Sequence, residues 1–167
     1  MEVVRMVVSQ EKDKENHNVY IELYRRYEVL DNGLKAALRR VSEPEDLRDT
    51  VALYRLFYKA RPDEGWLRVV FLLPWCTQCR VGAENTTPAF GAQMAGNVNE
   101  MRILQVAHAK EPFDIVQLRR LAMQVKPIID WARFGGTLFY WTHEAKRRIV
   151  EDFYYPEPKY SIKGAKS

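Results

Sequence analysis

The sequence predicts an all-α protein: two small helical bundles packed together, with about eight or nine helices. Three observations predict it. Apolar residues recur three and four apart over most of the chain, the repeat of a helix with one buried face. Serine, aspartate or threonine stands before several of these segments, where a side-chain oxygen can accept from a free backbone N–H. No stretch alternates apolar and polar residues long enough to make a strand of a sheet.

The elements follow in order. Tyr20, Leu23, Tyr24 and Tyr27 share one face of the first helix, and Asp31-Asn32-Gly33 breaks the chain after it. A short helix from Leu34 to Val41 carries Leu34, Ala37, Leu38 and Val41 on one side. Ser42 and Glu45 have the spacing of a capping box, and Pro44 is tolerated in the first turn. Glu43, Glu45, Asp46 and Asp49 suit the positive end of that helix dipole, and Leu47, Val51, Tyr54 and Tyr58 are expected on its buried face. Arg61 to Gly65 reads as a turn. Trp66 to Trp75 is apolar on nearly all sides, as a central helix would be.

A loop is expected from Cys76 to about Thr87, then a brief helix from Pro88 to Ala95 and another from Asn99 to Ala109. Asp114 is placed to cap a helix from Ile115 to Val125, which ends near Pro127. Asp130 is placed to cap Trp131 to Trp141, where Gly135-Gly136 allows close packing or a bend. Thr142 is placed to cap the last helix, from His143 to about Tyr155, and Pro156 stops it. Residues 1–95 are assigned to an N-terminal bundle whose first 18 residues are a variable extension. Residues 96–156 are assigned to a C-terminal bundle and 157–167 to a basic flexible tail.

Composition narrows the function. Of 167 residues 47% are hydrophobic and 12% aromatic, enough for a packed core. Mean hydropathy is −0.40, and no apolar run approaches the roughly 20 residues that span a bilayer. A cytoplasmic location is expected, with no membrane partner. The net charge of +4 permits a polyanionic partner without requiring one. The excess lies entirely from Pro88 onward, with 12 basic residues against 8 acidic, while the first 87 residues balance at 14 each.

Chemistry is sparse. The acidic cluster at 43–49 is explained by capping. Cys76-x-x-Cys79 has no second pair to complete a zinc site; it reads as two free thiols in a loop, with a redox pair or partial metal site as the alternative. His17, His108 and His143 are scattered, and no phosphate-cradling glycine loop or nucleophile elbow is present. No catalytic residue, metal or cofactor is expected.

The arginines carry more. In LRRV (Leu38 to Val41) and LRRL (Leu118 to Leu121) the flanking apolar residues share a helix face. If that face is buried, each arginine pair points outward, its side chains splayed by about 100°. The pairs are then either solvated faces covering apolar surface or bidentate holders of phosphate or carboxylate. Phe139, Tyr140, Trp141, Phe153, Tyr154 and Tyr155 offer either core packing or a base-stacking platform.

Five segments appear together: LDNGLKAALRRVSEPEDLRDTVALYRLF at 30–57, WLRVVFLL at 66–73, NEMRILQ at 99–105, VQLRRLAMQVKPIIDW at 116–131 and RRIVEDF at 147–153. In this order they strongly resemble the CasB family, the small subunit of the type I-E CRISPR surveillance complex Cascade. The resemblance covers roughly residues 20–155. It implies an all-helical, non-catalytic subunit of antiviral defence, present as a head-to-tail pair against the backbone filament and the large subunit. It implies CRISPR RNA and target DNA as partners, with the displaced strand and the guide–target hybrid held through their backbones to stabilise the R-loop. The matched basic positions are Arg39, Arg40, Arg48, Arg102, Arg119 and Arg120; all but Arg48 are assigned to nucleic acid, with Arg147 and Arg148 of the last segment and Lys146 just before it as weaker additions. Arg48, among acidic neighbours, is expected to be structural. The family's middle loop is often rich in lysine and arginine, whereas residues 77–87 here offer only Arg80. A free-standing helical DNA-binding regulator and a purely structural spacer are the competing readings.

Overall fold

The computed structural model describes residues 19–156. The extension and the basic tail expected at 1–18 and 157–167 lie outside the described residues. The fold is predominantly helical. Helix α1 runs over 19–28, α2 over Asn32–Arg40, α3 over Val51–Leu56, α4 over Glu64–Leu72 and α5 over Phe90–Met94. Then come α6 (Glu100–His108), α7 (Phe113–Val125), α8 (Trp131–Phe139) and α9 (His143–Tyr154).

Local chemistry sets most of these limits. Asp31, Asp63, Asn99, Asp130 and Thr142 each accept a hydrogen bond from a backbone N–H in the first turn of the helix that follows, at 2.7–3.2 Å. Each such cap contributes about 1 kcal/mol. Helix α7 closes on Lys126, which adopts a left-handed conformation (φ 53°) just before Pro127.

Three expectations needed correction. Ser42 does not open a long helix. The chain forms a 3₁₀ turn over Pro44–Asp49, in which the Glu43 N–H donates to Asp46 Oδ2 at 3.1 Å. Thr50 then caps α3 afresh, accepting from the Leu53 N–H while its own hydroxyl donates to the Leu47 carbonyl. The break turns the buried face: Leu47, Leu53 and Leu56 are fully buried, while Val51, Tyr54 and Tyr58 are exposed. Asp114 is not a cap, because α7 already begins at Phe113; it lies fully buried inside the helix.

The third correction is a two-stranded parallel sheet, one strand of which lies at the start of the expected loop. In it β1 (Thr77–Gln78) pairs with β2 (Ile128–Ile129). The Cys79 N–H donates to the Ile129 carbonyl at 2.8 Å, and the Trp131 indole N–H donates to the Cys76 carbonyl at 3.1 Å. Cys76 and Cys79 are free and buried, and burial pushes the Cys76 thiol up. Among the described residues no group of three metal-ligating side chains comes together.

Helix α4 is the centre of the core, with Leu67, Val69, Val70, Phe71 and Leu72 at most 1% exposed. The 3₁₀ turn, α2 and α8 pack on it, while α5, α6, α7 and α9 pack among themselves. One apolar cluster runs through both groups, with α7 reaching α4. Two glycines permit close approaches. A Cβ on Gly91 would lie 2.0 Å from the Ile149 carbonyl oxygen, and one on Gly135 would lie 2.3 Å from Tyr20 Cγ. Tyr20 rests in that space against Trp66 and Phe139, and burial pushes its hydroxyl pKa up to about 12.

Gly135→Ala is therefore expected to destabilise the fold by about 1–3 kcal/mol, the range for overpacking. Gly136→Ala is the control, since its Cβ would meet Tyr20 only at 3.8 Å; it is expected to be neutral or slightly stabilising. Denaturant unfolding monitored by tryptophan fluorescence checks both.

Candidate nucleic-acid interface

The two double-arginine motifs meet. Leu38, Leu118 and Leu121 are fully buried, as the spacing required. Arg120 and Arg40 are exposed, and among the described residues neither has a hydrogen-bond or ion-pair partner. Arg119 behaves differently. Its Nη1 donates to the carbonyl of Val41, the residue that ends α2, at 2.5 Å. Its guanidinium carbon lies 4.0 Å from the centroid of the Phe71 ring on α4. Burial, and then the adjacent Arg120 charge, pull its pKa below the ordinary value; the group stays cationic all the same. Its Nε has no hydrogen-bond partner among the described residues.

The expectation that both members of each pair point outward therefore fails at Arg119. The reason lies in the helix repeat. Position 119 is four residues after Ile115 and three before Ala122, and both are fully buried. The buried stripe of α7 is wider than Leu118 and Leu121 alone, and Arg119 lies on its edge.

Lys146 is diverted in the same way. It precedes the buried Ile149 by three residues, and its ammonium is 2.5 Å from Asp114 Oδ2. It also donates to the Ala109 carbonyl at 3.1 Å. Asp114 additionally accepts from the Trp141 indole N–H at 2.8 Å. One buried carboxylate thus ties α7 to α9 and to the turn between α8 and α9.

The remaining candidates fall between these cases. Arg39 is exposed at the end of α2, against the Tyr27 hydroxyl. There it opposes the upward push that burial gives that tyrosine. Arg102 is partly buried and bonded to the Gln124 side chain, which in turn donates to the Asn97 carbonyl. Arg147 is exposed, with no partner among the described residues. Arg148 makes a loose, exposed pair with Glu144 at 3.4 Å, of the kind worth little. Arg48 is held by Glu45 at 2.7 Å and by the Pro62 carbonyl, as its acidic neighbours suggested.

The aromatic cluster also divides. Phe139 packs on Trp66 and Trp141 holds Asp114, while Tyr140 and Tyr155 remain exposed.

One cation escaped the sequence reading. Tyr24-Arg25-Arg26-Tyr27 is another double arginine. Arg26 is partly exposed and donates to Glu22 and to the Leu56 carbonyl, and Arg25 is exposed. The signal was the same Arg-Arg doublet, between Tyr24 and Tyr27 of the buried face.

Comparison with known proteins places this arrangement. The family model for CRISPR-associated protein Cse2 matches residues 34–154, which contain both double-arginine helices and the Asp114–Lys146 pair. The chain belongs to the Cse2 family. It is 37% identical over 143 residues to the CRISPR system Cascade subunit CasB of Escherichia coli strain K12, covering 78% of this chain and 89% of that one. It also matches a chain in the crystal structure of E. coli Cascade bound to a PAM-containing double-stranded DNA target. That match has a TM-score of 0.74 and 35% identity, and covers 83% of this chain and 97% of the other.

Within this Cse2-family chain, the buried and exposed cations should separate in stability. Asp114→Ala strands the Lys146 charge with little solvent and is expected to cost about 3–5 kcal/mol, the scale for breaking a buried pair. A double-mutant cycle with Lys146→Met should show coupling between the two positions. Arg120→Ala is expected to stay within about 0.5 kcal/mol of the parent, as exposed substitutions do. Urea unfolding of each variant checks the set.

Proposed function

We propose that this chain is the non-catalytic small subunit of a type I-E CRISPR Cascade complex in cytoplasmic antiviral defence. Membership of the Cse2 family, the 37% identical Cascade subunit and the structural match to a chain of DNA-bound Cascade support that reading. Among the described residues, no helix is long and apolar enough to cross a membrane. In the complex the subunit joins the backbone filament, the large subunit and a second copy of itself around the CRISPR RNA and target DNA.

Its work is to hold nucleic-acid backbone and so stabilise the R-loop. The observation that carries this is the clamped junction of α2 and α7. Arg119 fastens the end of α2 to α7 and leaves Arg40 and Arg120 exposed and unpartnered beside that fixed point. Guanidiniums on rigid helix positions lose little freedom on binding phosphate. Arg39, Arg147, Arg148 and Arg25 add exposed charge, while Arg119, Lys146 and Arg102 act through the architecture. R-loop formation is near energetic balance, so a few backbone contacts decide it. Each charge-assisted hydrogen bond contributes about 1.5–3 kcal/mol. Sequence recognition stays with guide pairing.

The purely structural spacer is the second reading, and it has an observation in its favour: several of the matched cations are already engaged within the chain. R-loop lifetime in reconstituted complex separates the two. Arg40→Glu/Arg120→Glu is expected to assemble normally and to shorten the lifetime. It should also flatten the salt dependence of target binding by about 0.7 in the log–log slope per lost single-strand phosphate contact. An unchanged lifetime with normal assembly would favour the spacer.

A further inference from the structure

The break at Thr50 turns an apolar stripe outward. Val51 and Tyr54 stand three apart on α3, and Tyr58 follows just beyond its end; they are 61%, 52% and 63% exposed. Leu53 and Leu56 take the buried side of the helix in their place. Exposed apolar surface of this kind marks a contact with something outside the chain.

Both rings are held from one side by the fold. The Tyr54 hydroxyl donates to the Arg48 carbonyl at 2.6 Å. Arg26, fixed by Glu22 and by the Leu56 carbonyl, lies 5.2 Å from the centre of the Tyr58 ring. The Lys59 ammonium lies 5.3 Å from the same centre. Among the described residues no carboxylate holds Lys59, so it is able to leave the ring for another partner.

The segment that carries these rings bears cations alone. From Thr50 to Pro62 the sequence has Arg55, Lys59 and Arg61 and no acidic residue. All three are exposed, and among the described residues none is in an ion pair. The neighbouring carboxylates are largely engaged: Glu22 with Arg26, Glu45 with Arg48, and Asp63 with the Trp66 N–H. Asp49 and Glu64 are the exposed acids beyond its two ends. Each tyrosine is followed at once by a cation, as Tyr54-Arg55 and Tyr58-Lys59. Rings interleaved with cations suit a single strand, whose bases stack and whose phosphates take the charge. A protein partner fits less well, because lysine is depleted from protein interfaces.

We propose that α3 and the turn after it form a stacking platform for an unpaired nucleic-acid strand, with bases on Tyr54 and Tyr58 and phosphates on Arg55, Lys59 and Arg61. The assignment rests on the subunit reading above and adds base stacking to backbone contact. In an R-loop the unpaired strand is the displaced one, and stacking holds it whatever its sequence.

The test uses the assembled complex on a target carrying 5-iodouridine at successive positions of the displaced strand. Irradiation is followed by mass spectrometry of the linked peptide. The expected product joins the strand to Tyr54 or Tyr58. Tyr54→Leu/Tyr58→Leu is expected to shorten the R-loop lifetime severalfold with the salt dependence unchanged. Arg55→Gln/Lys59→Gln should instead lower the log–log salt slope by about 0.7 per lost phosphate contact. Links that miss both tyrosines, or a parental lifetime in the tyrosine variant, would overturn the assignment. So would a tyrosine variant that folds by circular dichroism yet fails to assemble, which would give this face to a protein subunit. The Arg40→Glu/Arg120→Glu variant keeps the two readings apart: a shortened lifetime there, with no tyrosine link in the parent, sinks the platform and leaves the backbone reading standing.

Discussion

The Arg119 guanidinium touches three separate parts of the fold. It belongs to α7, donates to the carbonyl that ends α2, and lies over a ring of the central helix α4. Holding a cation there, half out of water and beside Arg120, is costly. The Val41 carbonyl and the Phe71 face offset that cost, and in doing so they fix where α2 stops relative to α7. The position of every exposed arginine on those two helices follows from that contact. A lysine would not serve, because a point ammonium cannot both stack on a ring and donate in plane to a carbonyl.

The same division recurs along the chain. In two of the four double arginines one side chain is engaged within the chain, Arg26 with Glu22 and the Leu56 carbonyl and Arg119 with the Val41 carbonyl, whereas Arg39 and Arg40 are both exposed, as are Arg147 and Arg148. The neighbour in those two, Arg25 or Arg120, is exposed. Adjacent helix positions differ by about 100°, so a doublet at the edge of a buried stripe places one cation on each side of the boundary. The inner member anchors the helix and the outer one is available. Lys146, beside the exposed Arg147, follows the same geometry with Asp114 as its anchor.

Much of the fold was legible because it is encoded locally. The caps at Asp130 and Thr142, the apolar run of α4 and the face of α1 are each set by side chains within one or two turns. The misses have long-range causes. Two-residue strands have no alternation to detect, and β1 exists only because β2, 50 residues on, supplies its partner. Ser42 and Glu45 have the spacing of a capping box, but Thr50 reopens the helix eight residues later and turns its face. Asp114 looked like a cap because its buried partners, Trp141 and Lys146, lie 27 and 32 positions away. At the site, the positions of the arginines were legible and their roles were not. The stripe that includes Ile115 and Ala122 was present in the sequence and places Arg119 on its edge.

The short parallel strand pair bears on how the chain holds together when cut. The segment just after β1 reaches the surface at Val81, 94% exposed, and is the natural place for a protease to enter. Cleavage there would not release two pieces. Thr77 and Gln78 would stay pinned to Ile128 and Ile129, Trp131 would keep its bond to Cys76, and α8 would remain packed on α4. A nicked molecule would keep one core, and its two fragments would part only when that core unfolds.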